Sequence, residues 1–378
     1  MAMKETESYD YFLLIVALLL SAIGITAVLT ASAPLGYGGT GATYVWFFNQ
    51  VKWFVIGMVL MYVASRIDYH WYRKIDRLVI ILIILSLLLV FAPKIGRPIR
   101  GVNRWITFAG FQVQPSELAK VGIVLYLANS LVRKRDKLTS FTSGFLPYFL
   151  ITSLICGLVT VEPDLGSAVI IGVTALIVLY AGGVRIAHML YVVLVAAVPL
   201  YYSIFEIGYR KDRIIGFLNP NADRFGIGFQ PLHLKMSLGS GGLFGLGPGQ
   251  GRQKLFYLPT PHTDSIFAVF GEEFGFIGTS AILILFVLFT IRGVQIARRA
   301  QDDSGKLLAI GLTCLISIQA LINMGVATVL LPTTGSALPF ISYGGSSLLT
   351  TLLAVGILLS VSRYARGETN EQPSTHER

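Results

Sequence analysis

Three places in the sequence gather side chains able to do chemistry. The first is Arg252-Gln253-Lys254-Leu255-Phe256-Tyr257-Leu258-Pro259-Thr260-Pro261-His262-Thr263-Asp264, which delivers cations, aromatics and one carboxylate together. A positioned carboxylate takes the proton of an attacking hydroxyl, and cations stabilise a phosphate leaving group. Asp264 is equally suited to capping a helix, a role Asp fills very often. His262 has base and metal-ligand chemistry open to it, but no second histidine or cysteine stands near it in a zinc-like pattern. The second place is Glu117 with Lys120, three residues apart and so on one face of any helix that holds them. A mutual salt bridge and a polar floor beneath a substrate site are the two readings of that pair. The third is Glu162-Pro163-Asp164, two carboxylates in a tight turn, where Asp164 before Leu165-Gly166-Ser167 also suits a helix cap. A glycine-rich passage at 238–251 precedes the first group. It allows close backbone approach to a phosphate or sugar, or serves as a hinge, and it contains no phosphate-loop pattern.

The elements that must position these residues are membrane helices. The 378 residues are 54% hydrophobic and 13% charged, a balance that a water-soluble surface cannot accommodate. Unbroken apolar runs rather than alternating ones select helices over a closed barrel. With about twenty apolar residues per crossing, spans are predicted at 11–29, 46–64, 78–91, 115–131, 146–161, 165–180, 186–205, 265–291, 307–331 and 346–362. The expected fold is therefore all-α, a polytopic bundle of about ten transmembrane helices. It forms one membrane domain over 1–366 with a long extracytoplasmic loop at about 206–264, followed by a short, disordered cytoplasmic tail at 367–378. The first run is read as a span and not a cleaved signal, because its leading segment is net acidic: Lys4 stands against Glu5, Glu7 and Asp10. The fourth span cannot cross on 121–131 alone, so its helix must start near Gln114-Pro115 and carry Glu117 and Lys120 into the bundle.

The formal charge is +10, but the cations lie in short clusters between spans, which excludes nucleic acid as the natural partner and fits orientation signals and lipid contact. Arg66, Arg73, Lys74 and Arg77, then Arg133, Lys134, Arg135 and Lys137, then Arg292, Arg298 and Arg299 fall on one side, predicted to be cytoplasmic together with both termini. Two loops on the other side break the rule. One carries Lys94, Arg97, Arg100 and Arg104; the other carries Arg210, Lys211, Arg213, Arg224, Lys235, Arg252 and Lys254. Cations on that side point to an anionic ligand or to headgroup contact. Measured by helical rise, 274–291 alone covers about 27 Å, which puts Asp264 near the headgroup layer or slightly above. Cys156 and Cys314, inside apolar runs, read as small hydrophobes.

Three runs stand out together: His262-Thr263-Asp264-Ser265-Ile266-Phe267-Ala268-Val269 with Gly271-Glu272-Glu273, Pro339-Phe340-Ile341-Ser342-Tyr343-Gly344-Gly345-Ser346-Ser347, and Gln114-Pro115-Ser116-Glu117-Leu118-Ala119-Lys120. They resemble the SEDS family of peptidoglycan glycosyltransferases. The likeness runs in order over nearly the whole chain. The run Gln253-Lys254-Leu255-Phe256-Tyr257-Leu258-Pro259 is similar to the division branch of the family rather than the elongation branch. Thr260-Pro261 stand where the family usually carries Glu-Ala, and Ser265 where Phe is usual.

The resemblance implies polymerisation of lipid II into glycan strands on the outer face of the plasma membrane, at the division septum, with undecaprenyl pyrophosphate leaving. It implies Asp264 as the catalytic aspartate. Arg104, of the family's Arg-Trp motif, Glu117 and Lys120, of its membrane-embedded polar pair, and Asp164, of its Pro-Asp-Leu-Gly motif, are expected to bind substrate, as are Arg252, Lys254, His262 and Thr263. Which of Arg97, Arg100, Arg104, Lys120, Arg252 and Lys254 holds the pyrophosphate is left open, as is help from a divalent cation there; no metal ligands are assigned. The implied partners are a class B penicillin-binding protein, which is a single-pass transpeptidase, and other division proteins. Competing readings are the elongation-type polymerase, a lipid II flippase, which would need a midplane site in related repeats, and a scaffold, which would leave Asp264 and the cations without a task.

Overall fold

The computed structural model describes residues 9–32, 43–92, 96–99, 102–108, 111–206, 208–255 and 257–365. Each of the ten predicted spans is a helix: α1 Tyr11–Ser32, α2 Thr43–Arg66, α3 Tyr72–Leu89, α4 Pro115–Arg133, α5 Leu146–Val161, α6 Leu165–Ala181, α7 Ile186–Phe205, then α10 Ile266–Arg299, α11 Asp303–Ala327 and α12 Gly345–Arg363. Among the described residues seven of these are long and apolar enough to cross a membrane unaided, α5 with the π turn Phe141–Phe145 that leads into it. The exceptions are α3, α4 and α6. The first two carry charges in their opening turns, and α6 has 17 residues. All three are held by their neighbours in the bundle. The long loop folds as two short helices, α8 Gly208–Leu218 and α9 Phe229–Gly241.

At the bundle's centre is α4, with 16 of its 19 residues buried, Glu117 and Lys120 among them. Around it pack α3, α5, α6, α11 and α12. Where α12 meets α2, a Cβ on Gly356 would come within 2.5 Å of the Met61 carbonyl, so glycine allows the two backbones their close approach. By contrast α7 is peripheral, with only Val192 and Ser203 buried.

The two ends of the bundle differ in character. At one end Arg133 pairs with Asp76 at 2.5 Å, Arg135 pairs with Asp303, and Arg66 and Arg363 both lie over the Tyr9 ring, so the chain's first and last described helices end together there. The opposite end, called the loop end below, gathers the segments around 96–113, 162–164, 206–264 and 328–344. The predicted clustering of basic loops on one side is thus a property of the fold.

Two features of the loop end were not expected from sequence. First, 96–113 forms a three-stranded antiparallel sheet: β1 Gly96–Ile99, β2 Val102–Phe108 and β3 Phe111–Val113, with Arg97 opposite Trp105 and Ile106 opposite Val113. The signal was present as Val102-Asn103-Arg104-Trp105-Ile106-Thr107-Phe108, a β-branched and aromatic run between glycines. Second, 332–343, read as a plain connection, re-enters the bundle. Leu338, Phe340 and Ile341 are buried, and the Phe340 ring meets those of Phe286 and Phe289 on α10. Irregular backbone is tolerated at this depth because protein, and not lipid, surrounds it. Lys94, Arg100 and the tail 367–378 lie outside the described residues.

Candidate functional site

The turn before α10 is fixed from beneath at three successive carbonyls. The Tyr343 amide donates to His262 O at 2.8 Å, the Ser342 hydroxyl to Thr263 O at 2.6 Å, and the Asn323 side-chain amide to Asp264 O at 3.1 Å. Two of these donors belong to the re-entrant segment and the third to α11, one turn before its end. Asn323 also donates to Ser336 O at 2.7 Å, which ties the re-entrant segment to the same helix. Against this rigid backbone the half-buried Asp264 carboxylate accepts two hydroxyls on one oxygen: Oδ1 takes Thr260 at 2.6 Å and Thr263 at 3.0 Å. Oδ2 carries no hydrogen bond from a described residue. His262 is buried, its ring against Trp46 at 4.6 Å and Tyr343 at 5.7 Å between centroids.

The chain does not run straight from Asp264 into α10. The helix breaks at Gly275, whose φ of 66° and ψ of −164° only glycine adopts readily. The piece ahead of the break is almost wholly buried and packs on α9, where Ser237 donates to Ala268 O at 2.9 Å. Asp264 lies beside the last turn of α11, within the loop end.

The glycine-rich passage turns out to serve this break. Leu246 and Gly247 donate their amides to the carbonyls of Glu272 and Glu273 at 3.0 Å, while Gly242 and Leu243 accept from Phe276 and Ile277. Gly245, at φ 82°, comes so close that a Cβ would lie 2.1 Å from Glu273 O. These amides satisfy the groups orphaned by the interrupted helix, so they are not the phosphate cradle offered as one reading of the sequence. Lys254 is spent in the same place. It is 4% exposed and its Nζ lies 2.5 Å from Glu273 Oε1, while Glu272 accepts the amides of Arg252 and Gln253. That ammonium is not available to a pyrophosphate in this arrangement. The side chain of Arg252, two residues earlier, is exposed.

One helical turn below the re-entrant segment's contact with Asn323 is the second polar cluster. Lys120 Nζ lies 2.7 Å from Glu117 Oε1 and donates to Gln319 Oε1 at 3.1 Å, and Gln319 donates on to Ala337 O at 2.9 Å. Gln319 and Asn323, at i and i+4 on α11, therefore link the buried ion pair to the Asp264 turn through adjacent carbonyls, 336 and 337. Neither amide stood out in the sequence, since a lone Gln or Asn in an apolar run carries no pattern.

The third cluster joins the sheet to the α5–α6 turn. Arg104 donates to Glu162 O at 2.8 Å and to Pro163 O. Asp164 accepts the Ser167 amide on Oδ1 at 3.1 Å, the helix cap considered above, and Gln114 on Oδ2 at 3.2 Å. Arg104 and Asp164 are thus engaged in holding the loop end together. Among the described residues no three His, Cys, Asp or Glu side chains converge, so they offer no ready ligand set for a divalent cation.

Glu162 is fully buried and neither carboxylate oxygen has a partner among the described residues. Burial, reinforced by Asp164 and opposed by Arg104, pushes its pKa up from 4.5 to about 8. Between those values the folded state holds a proton that the unfolded state has released, so stability falls as pH rises from 4.5 to 8 and is level outside that window. Glu162→Gln keeps the shape without the titration. The native protein's melting temperature should match the variant's near pH 4.5 and lie several degrees below it at pH 8.5, measured by scanning fluorimetry in detergent.

The helical bundle defines a multi-pass membrane protein, and the rigidly held Asp264 carboxylate at its loop end, with Oδ2 open, has the geometry that accepting a proton requires. Residues 10–367 match the FtsW/RodA/SpoVE family, described as cell cycle proteins, and the chain belongs to that family. It is 42% identical over 365 residues to a probable peptidoglycan glycosyltransferase FtsW from Geobacter metallireducens, covering 97% of each chain. With the stage V sporulation protein E of Bacillus subtilis it shares 40% identity, over 97% of this chain and all of the other. Its fold superposes with a TM-score of 0.77 on a chain in a solved peptidoglycan synthase complex that coordinates polymerization and crosslinking, at 28% identity, over 94% of this chain and 98% of that one.

Proposed function

We propose that the chain is a peptidoglycan glycosyltransferase that polymerises lipid II, with Asp264 as the general base. The observation that carries this reading is the Asp264 carboxylate, pinned through backbone and Oδ1 while Oδ2 stays open. The acceptor sugar's 4-hydroxyl must lose a proton as it attacks the donor's anomeric carbon, and one fixed carboxylate meets that need. The donor already carries pyrophosphate on undecaprenol, so no second acid is required to expel it; cations suffice. Arg252, on the approach to the turn, is the exposed one among the predicted cations whose side chains are described. Thr263 and His262 act through the turn's geometry, and Glu117 with Lys120 forms its buried support.

The loop end faces outward in this reading, consistent with arginine and lysine massed at the opposite end, and lipid II would present its reactive carbon there. A class B penicillin-binding protein is the partner this reading expects, supported by the likeness to a chain of a peptidoglycan synthase complex that coordinates polymerization and crosslinking, and work at the division septum is supported by the family's description as cell cycle proteins. The testing experiment uses purified protein in detergent and in vesicles with labelled lipid II. Glycan chains are the expected product. Translocation without polymer would replace this reading with a flippase, and neither outcome would leave a scaffold.

A further inference from the structure

We propose that Thr260 is the positioning residue that orients the Asp264 carboxylate, an inference that rests on Asp264 being the general base. Two hydroxyls reach Oδ1, but they are not equivalent. Thr263's single proton is shared between Oδ1 at 3.0 Å and Thr260 O at 3.2 Å, whereas Thr260's hydroxyl has only Oδ1, at 2.6 Å. That distance is typical of a charge-assisted O–H···O⁻ bond, the stronger kind. With Oδ1 held by donors, Oδ2 is the oxygen left with lone pairs to accept a proton, so the clamp selects the reacting atom and fixes its direction.

The backbone adds a second argument. Thr260 has φ 48°, in the left-handed region that β-branched residues occupy reluctantly. Glycine or asparagine would sit there with less strain. A threonine held in that conformation with its hydroxyl on the carboxylate is the arrangement expected where geometry at a reacting group outweighs local comfort. The turn closes on itself as well, since the Thr263 amide donates to Thr260 O at 3.1 Å, so the clamp and the base lie in one rigid unit.

Thr260→Val keeps the branching and the strain and removes only the hydroxyl; Thr260→Ser keeps the hydroxyl. Lipid II polymerisation by Thr260→Val should show kcat reduced about tenfold with KM within about twofold, because an interaction with a charged group at the reacting centre is lost and substrate contacts are not. Thr260→Ser, which keeps the hydroxyl, should restore the rate. Thr260→Gly covers the case in which the valine variant folds poorly, since glycine suits the backbone and also lacks the hydroxyl; it too should lose rate. Native kcat in Thr260→Val or Thr260→Gly would overturn the clamp, as would equal impairment in Thr260→Ser. If those variants behave natively while Asp264→Asn is inactive, the clamp alone fails. An active Asp264→Asn would remove the base itself.

Discussion

Asp264→Asn will fold and bind lipid II as the native chain does, and its polymerisation rate will fall by about 10² to 10⁴, the usual worth of a positioned base. The substitution is unusually clean in this turn. Asparagine's Oδ1 still accepts the Thr260 and Thr263 hydroxyls, and the backbone carbonyl still accepts from Asn323. Only Oδ2 changes, from a carboxylate oxygen able to take a proton into an amide nitrogen that is not. Melting temperature and lipid II affinity serve as the controls. Asp264→Glu should also retain little activity. Its extra methylene carries the carboxylate past the two hydroxyls, and misplacement by about 1 Å is costly when the acceptor hydroxyl must lie within hydrogen-bond reach. If Asp264 merely stabilised the start of α10, asparagine would replace it almost silently, being itself a good cap. An Asn variant that makes glycan at near the native rate, with equal folded protein, would take Asp264 out of the mechanism.

How far the sequence carried this site depends on what each feature requires of the rest of the chain. Seven of the spans were legible because the bilayer imposes a length and a composition that each of them meets alone. The Glu117–Lys120 pair was legible because i,i+3 spacing places two side chains together whatever else folds around them. Lys254 shows the complementary limit: its partner Glu273 lies 19 residues away, in the piece of α10 ahead of the break, and charge counting does not show which cation is already neutralised. The glycine passage was read as an approach to a phosphate or sugar or as a hinge, and its contact with the broken helix appears only once Gly275 is placed against Gly245. The re-entrant segment offered too few apolar residues to register as buried, although its Pro-Phe-Ile-Ser-Tyr run was among the most distinctive in the chain. Its task, supplying Ser342 and Tyr343 as donors to the Asp264 turn, exists only after the fold has formed.

Glu117 and Lys120 should prove energetically coupled, with either single neutral substitution more damaging than both together. Their side chains are 8% and 2% exposed, so each charge relies on the other and not on water. Lys120→Met would leave the Glu117 carboxylate with the Thr350 hydroxyl, 3.5 Å away, as its remaining side-chain partner. Glu117→Gln would leave the ammonium with Gln319, whose own amide is committed to Ala337 O. An uncompensated buried charge costs about 3 to 5 kcal/mol, whereas replacing a whole buried pair with neutral side chains of similar volume is often close to neutral. Melting temperatures of the two singles and of Glu117→Gln/Lys120→Met close a double-mutant cycle. The double variant should recover most of the stability lost in either single, and strictly additive losses would sink the coupling. Activity then separates support from direct substrate contact. Because Gln319 relays the pair to the carbonyl next to the one Asn323 holds, a pair that only supports the turn predicts that polymerisation recovers with stability. A double variant that folds well and makes no glycan would instead place Glu117 or Lys120 against the substrate.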